Sequence, residues 1–191
     1  MRRLALTLIP AVLAAGPAFA HLDPGAHGSF AAGFSHPVFG ADHILAMVAV
    51  GLWAASLGGR AFVALPVGFV GAMALGFLLS LGGLPLPMVE PMILVSVLVL
   101  GVLVAAAARL PLSAAVAITA AMGVFHGHAH GTEIGGAGAL AYLAGFVAAT
   151  TALHALGAAA GWALGRVGGA LLTRGAGLAV AIGGSALVMA G

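Results

Sequence analysis

Long apolar segments separated by short polar breaks dominate the pattern of this chain. Each approaches or exceeds the roughly 20 residues that a helix needs to cross the hydrocarbon core of a bilayer. The segments cover residues 37–57, 61–82, 88–108, 112–130, 138–165 and 170–190. Backbone polar groups in lipid must bond within their own segment, and no alternating strand pattern is present. The pattern therefore predicts an all-α membrane protein, a bundle of about six transmembrane helices.

The first 20 residues have the pattern of a cleavable secretory signal peptide. Arg2 and Arg3 precede an apolar stretch, and the stretch ends in a small-x-small cleavage site at residues 18–20. An uncleaved first helix is the alternative. Cleavage would leave residues 21–191 as the transmembrane domain, beginning at His21, whose α-amine and imidazole together could chelate a metal ion.

Composition supports insertion into a membrane and excludes several classes of function. Hydrophobic residues make up 63% of the chain and charged residues 5%, whereas soluble domains carry about 25% charged residues. The arginines are scattered singly, so the basic balance does not indicate nucleic-acid binding. Without cysteine the chain has neither thiolate metal ligands nor disulfides. Glycine stripes in the second and fifth segments predict close helix contacts: Gly68, Gly71 and Gly76, and Gly157, Gly161 and Gly165.

The charged residues also predict an orientation. If the mature amino terminus lies outside, four arginines fall on the inner side: Arg60, Arg109, Arg166 and Arg174. The four acidic residues then fall at or near the outer side: Asp23, Asp42, Glu90 and Glu133. This agrees with the positive-inside rule. It predicts a multi-pass membrane protein with both mature termini on the exoplasmic side.

A first polar cluster, His36-Pro-Val-Phe-Gly-Ala-Asp42-His43, lies where an apolar chain has little need of charge. Pro37 predicts the first turn of a helix, with His36 at or just before its cap. His43 and Met47 share a helix face, and Asp42 borders it either as a ligand or as a partner that orients an imidazole. His36 and His43 would lie about 10 Å apart along a straight helix, so they bind either one ion through a folded-back cap or two successive ions.

A second cluster, His126-Gly-His128-Ala-His130-Gly-Thr-Glu133, has related chemistry. His126 and His130 are four apart, a spacing at which two imidazoles grip one ion, and Glu133 shares their face. His128 points elsewhere if the segment is helical, and the local glycines predict that regular helix is lost by its end. An exposed loop that binds metal adventitiously is the alternative. His154, in the fifth segment, is a further candidate ligand or relay, or a simple hydrogen-bonding partner.

Imidazole and carboxylate groups without thiols suit Ni²⁺, Zn²⁺, Cu²⁺ or Fe²⁺. We expect the two clusters to meet in space and to form the entrance of a secondary metal permease rather than an enzyme. No nucleotide-binding motif is present, so direct use of ATP would need a separate subunit. The alternatives are an intramembrane zinc-dependent hydrolase with Glu133 as its base, and a bis-histidine haem protein.

The two clusters also resemble those of a known family. HPVFGADH (36–43), followed by Met47, and FHGHAHGTE (125–133) resemble the two signature motifs of the HupE/UreJ nickel permeases, which accompany bacterial hydrogenase and urease operons. The resemblance extends over the whole chain and implies uptake of Ni²⁺, or of Co²⁺ in some members. It carries a metal-binding role to His36, Asp42, His43, His126, His130 and Glu133. The residues themselves add further candidates: His128, Met47, His21 and His154.

The combined interpretation is a signal peptide, 1–20, followed by a six-helix permease domain, 21–191. Its substrate is Ni²⁺, or Co²⁺ or Zn²⁺, and it needs no resident cofactor. Homo-oligomerisation and accessory metallochaperones stay open at this point, as do the coupling ion and the number of ions held by His36 and His43.

Overall fold

A computed structural model describes residues 28–134 and 138–190, without the side chains of Thr132 and Glu133. The predicted signal peptide and His21 lie outside these residues. The described residues form six helices: α1 (Phe30–Phe39), α2 (Ala41–Leu57), α3 (Ala61–Leu81), α4 (Val89–Ala105), α5 (Leu112–Ile134) and α6 (Ala139–Ala190). No strand occurs among them, which confirms the all-helical class.

Three of these helices, α3, α5 and α6, are long and apolar enough to cross a membrane by length and composition. The bent pair α1 and α2 makes a fourth candidate span if it is counted as one. Helix α4 is apolar but has only 17 residues. Helix α6 contains one residue with non-helical geometry, Gly169 (φ 61°, ψ −154°), which divides its 52 residues into two halves.

The first apolar segment, 37–57, is not one helix capped by His36, as predicted: it contains the end of α1 and the whole of α2. Helix α1 begins after Ser29, whose hydroxyl accepts a hydrogen bond from the backbone N–H of Ala32 at 3.1 Å. The helix includes His36 and Pro37, and the chain then bends by 81° between α1 and α2. A proline inside a helix removes a backbone hydrogen bond, and α1 ends two residues after Pro37, just before Gly40.

Glycines form the closest contacts between the helices. A Cβ atom at Gly127 of α5 would overlap the carbonyl of Met73 in α3, and one at Gly51 of α2 would overlap the carbonyl of His154 in α6. Such contacts let helices pack without an aqueous hydrophobic drive. The predicted stripes are confirmed at Gly68, Gly76, Gly157 and Gly161, but are wrong at Gly71 and Gly165, where no described atom lies within 4 Å of a Cβ position.

The register of these contacts gives the relative directions of the helices. Gly68 of α3 lies near Val116 of α5, and Gly76 lies near Val124, so the two helices run parallel. Helix α2 also runs parallel to the first half of α6, because Gly157 lies near Val48 and Gly161 lies near Leu52. The second half of α6 runs antiparallel to α4, because residues later in α6 contact residues earlier in α4. The contacts that show this are Gly177 with Val104 and Gly184 with Val97.

The distribution of polarity suits a lipid environment. Large apolar side chains face outward from several helices, including Val63, Val67, Leu140, Leu156, Val167, Leu171 and Ile182. The histidines of the described residues are instead largely inside, and His43, His126, His128, His130 and His154 are all buried. Polar groups within a membrane are expensive unless they face the interior of the bundle. The interior of this bundle therefore contains most of the candidate metal-binding side chains.

One end of the bundle collects the arginines. Arg109, Arg166 and Arg174 line a common cavity of about 390 Å³ beside Gly169. The guanidinium of Arg174 donates to the carbonyl of Ala105 at 2.8 Å. Arg60 lies in the connection between α2 and α3, at the end of α2 that is remote from its polar first turn.

Candidate metal centre

Three histidines from three helices meet at the bend between α1 and α2. The ligand nitrogens of His36, His43 and His130 all lie within 4.8 Å of one another. Nε2 of His43 lies 3.1 Å from Nε2 of His130. The ring centroid of His36 lies 4.0 Å from that of His130 and 5.1 Å from that of His43. We call these three residues the outer triad.

The bend creates this proximity. On a straight helix His36 and His43 would be separated by about 10 Å, but the 81° turn between α1 and α2 brings their rings together. Imidazole nitrogens bind Zn²⁺ at about 2.0–2.1 Å, so two ligands of one ion lie about 3–4 Å apart. The separation of 3.1 Å between His43 and His130 falls in that range. The geometry favours one shared site for His36 and His43 over two successive sites.

Asp42 orients the imidazole of His43. Its Oδ1 accepts hydrogen bonds from the backbone N–H of His43 at 2.8 Å and from the ring Nδ1 at 2.9 Å. A carboxylate can only accept, so Nδ1 carries the proton and Nε2 presents its lone pair to the triad. Of the two roles left open for Asp42, this contact favours the orienting one. A Cβ at Gly40 would lie 3.0 Å from Asp42 Oδ1, so the glycine leaves room for the pair.

We expect Asp42→Asn to weaken metal binding about 10–100-fold, the usual effect of losing a partner that orients a metal-binding histidine. Asparagine removes the negative charge. Because it preserves the shape of the side chain and an acceptor oxygen, the fold should be unchanged. Titration of the purified full-length chain with Ni²⁺ measures the effect, and the thermal unfolding temperature provides the control. Unaltered affinity would contradict an orienting role for this carboxylate.

His126 adds a lone pair beside the outer triad. It lies one helical turn before His130 on α5, and its ring centroid is 5.1 Å from that of His43. Its Nδ1 donates to the carbonyl of Met122 at 3.0 Å, which leaves the lone pair on Nε2. That nitrogen is buried and has no hydrogen-bond partner within the described part of the chain. His126 thus offers a further nitrogen lone pair next to His43.

The other candidates are placed differently. Nε2 of His128 donates to the carbonyl of Leu84 at 2.8 Å, so this ring is directed at the connection between α3 and α4 and away from the triad. Met47 is fully buried one turn after His43. Glu133 belongs to α5, but its side chain, like the whole of His21, is outside the described structure. His154 is buried in α6, outside the triad.

Helix α5 continues to Ile134, which corrects the prediction that its glycines end the regular helix. Glycine lowers helix propensity by about 1 kcal/mol relative to alanine, but here the glycines face α3. A Cβ at Gly131 would lie only 2.5 Å from the carbonyl oxygen of Phe77. Close packing against α3 therefore stabilises the helix where local propensity disfavours it, and it holds His130 in a helical position.

The sequence analysis did not identify the aromatic residues of this site. Phe146 of α6 is fully buried, and its ring centroid lies 5.3 Å from that of His130 and 6.0 Å from that of His43. Phe69 of α3 lies 5.2 Å from His126. A phenylalanine in an apolar segment carries no signal of its own, so only the packing of α3 and α6 reveals these positions.

Comparison with known proteins decides the family. The model of the family described as HupE / UreJ protein matches residues 9–187. The chain belongs to the HupE/UreJ family. A similar relative is Protein HupE of Rhizobium leguminosarum bv. viciae, which is 46% identical over 177 residues that cover 91% of this chain and 92% of the relative. No solved structure matches the chain.

Membership of the HupE/UreJ family confirms the resemblance of the two histidine motifs. The family is associated with the transport of nickel and cobalt, and it is a transporter and accessory family. It therefore gives no support to an intramembrane hydrolase.

Proposed function

We propose that this chain is a secondary permease that takes up Ni²⁺, with Co²⁺ or Zn²⁺ as alternative substrates, across the bacterial inner membrane for the maturation of metalloenzymes. The observation that carries the proposal is the outer triad: nitrogen ligands from α1, α2 and α5 converge inside an apolar helical bundle. Family membership supports the same class of transported ion.

The mechanism begins with capture of a hydrated divalent ion at the outer face. The charge of Asp42, whose side chain is 27% exposed, attracts the ion and offsets part of the cost of removing its water. The imidazoles of the outer triad then replace the lost water ligands, and we assign a similar supporting role to Glu133. Transport requires binding that is strong enough to admit the ion and weak enough to release it. An inside-negative potential favours entry by about 2.3 kcal/mol per charge per 100 mV.

We propose that the chain crosses the membrane six times, with the outer triad and both mature termini on the periplasmic side. The helix directions support it: parallel α3 and α5, parallel α2 and first half of α6, and antiparallel α4 and second half of α6 are the relations that six alternating crossings produce. The clustered arginines support it as well, because positive residues favour the cytoplasmic side.

Because the chain contains no cysteine, single introduced cysteines report this orientation cleanly. We expect Leu84→Cys, at the exposed connection between α3 and α4, to react with a membrane-impermeant thiol reagent added to spheroplasts. Arg109→Cys should react only after the membrane is permeabilised. The opposite pattern would reverse the proposed direction of transport.

Accumulation of radioactive Ni²⁺ in cells with and without the full-length protein tests the function. We expect uptake that depends on the chain and is reduced by excess Co²⁺. Competition by Zn²⁺ ranks the third candidate substrate. Equal accumulation in both strains, with the protein present in the membrane, would exclude a nickel permease.

A further inference from the structure

His154 is a buried imidazole to which the described polypeptide offers no hydrogen bond. The residue is 1% exposed, and both ring nitrogens are buried without a partner among the described residues. A buried polar group left unpaired costs about 1–3 kcal/mol. Buried polar side chains in folded proteins nearly always have a partner, so such a group indicates a ligand beyond the described residues.

His154 and His126 share an aromatic neighbour, Phe69. The ring centroid of Phe69 is 5.1 Å from that of His154 and 5.2 Å from that of His126. The two imidazoles that have unpaired buried nitrogens therefore have ring centroids no more than about 10 Å apart. His126 in turn lies 5.1 Å from His43. Successive ring contacts thus connect His43 of the triad, His126, Phe69 and His154.

The residues near His154 include further metal-binding atoms. Thr150, one turn earlier on α6, donates its hydroxyl to the sulfur of Met73 at 3.6 Å, and both residues are fully buried. Met73 lies one turn after Phe69 on α3. Imidazole suits Ni²⁺, Cu²⁺ and Zn²⁺, and a thioether adds a soft ligand. None of these three side chains carries a carboxylate, unlike the outer triad with Asp42.

We propose that His154 is the central ligand of an inner metal station, which receives the divalent ion from the outer triad by way of His126. This inference rests on the proposed permease function. The transfer is an exchange of ligands between imidazole lone pairs, with no change in oxidation state and no covalent change in the protein. Because the inner station has a single imidazole and no neighbouring carboxylate, it binds the ion less tightly than the three imidazoles of the outer triad with Asp42 beside them, which allows onward release.

Metal titration of the purified full-length chain in detergent tests the station directly. In a His43→Ala/His130→Ala background, which disables the outer triad, Ni²⁺ should still bind, and X-ray absorption should detect a coordinated imidazole. Adding His154→Leu should remove this ion and its imidazole signal. Leucine is chosen because it fills apolar space and removes the unpaired nitrogens, so the unfolding temperature should hold or rise.

Uptake by cells provides the second readout. We expect His154→Leu alone to lower Ni²⁺ accumulation at least about tenfold, the lower end of what metal-site changes produce, with the affinity of the outer triad retained. The control is Thr151→Ala, on the exposed side of α6 three residues earlier, which should behave like the wild type. Normal uptake by His154→Leu with an unchanged number of bound ions would overturn the proposal.

Two other outcomes also decide the question. Lost uptake together with a lowered unfolding temperature and an unchanged number of bound ions would make His154 a structural residue, and the inner station would be rejected. A wild-type chain that binds the second ion but produces no uptake in cells would refute the permease and leave the inner site standing. The binding and uptake measurements thus separate failure of this inference from failure of the proposed function.

Discussion

His43→Ala should abolish accumulation of Ni²⁺ in cells, a loss of more than about 100-fold, because removing a direct ligand exceeds the 10–100-fold effect of changing its supporting partners. His43 contacts Asp42 and the other three histidines of the site. Its Nε2 lies 3.1 Å from His130, its Nδ1 is held by Asp42, and its ring adjoins both His36 and His126. Radioactive Ni²⁺ uptake measures the effect, and quantification of the protein in isolated membranes shows that the variant is present.

The matched control is His128→Ala. It removes the same side chain from the motif that contributes His130, but its ring donates to Leu84 and takes no part in the outer triad. We expect uptake close to that of the wild type. If both variants lose uptake equally at normal protein levels, the histidine-rich segment acts through its overall composition, and the triad is not the site of capture.

Gly127→Ala should have the largest effect on stability. The added methyl group would overlap the carbonyl of Met73 and lie 2.9 Å from the backbone nitrogen of Phe77, and backbone atoms cannot move aside as a flexible side chain can. Helices α3 and α5 would have to separate, at a cost of about 1–3 kcal/mol or more. Because His126 directly precedes Gly127 and His130 follows it three residues later on the same helix, metal affinity should fall as well. Thermal unfolding of the purified protein and Ni²⁺ titration measure the two effects.

Gly71→Ala provides the control for helix propensity. It lies on α3, and no described atom is within 4 Å of its Cβ position, so the methyl group meets open space. Alanine should leave stability unchanged or raise it by about 0.5–1 kcal/mol, because glycine disfavours the helix interior. Equal unfolding temperatures for the Gly127 and Gly71 variants would show that the close contact between α3 and α5 does not limit stability.

The site contains polar and apolar side chains, and only the polar ones can be recognised from the sequence. Its candidate ligands are polar groups in apolar surroundings, where each is costly, and so His36, His43, His126 and His130 stand out without any structure. Its apolar components do not. Phe146 packs against the outer triad and Phe69 adjoins both His126 and His154, yet each is one phenylalanine among the nine of the chain.

Predictions from the local sequence were also wrong about the first helix and the end of α5. Pro37 is favoured in a first helical turn, but here it lies in the last part of α1, and the bend that follows brings His36 to His43. Glycines in the second motif disfavour helix on their own, but α3 packs against them and α5 continues to Ile134. In both places contacts between helices outweigh the preference of a short stretch.

The sequence by itself determined that this protein is helical and apolar, which family it belongs to and which residue types carry its chemistry. These properties depend on hydrophobicity, on the cost of polar groups in lipid and on motif spacing, all of which are written along the chain. Only the tertiary structure decided that His36 shares a site with His43 and His130, that His128 turns away, and that His154 lies unpaired beyond Phe69. Those relations depend on an 81° bend and on glycine contacts between helices that are distant in sequence, and no local pattern encodes them.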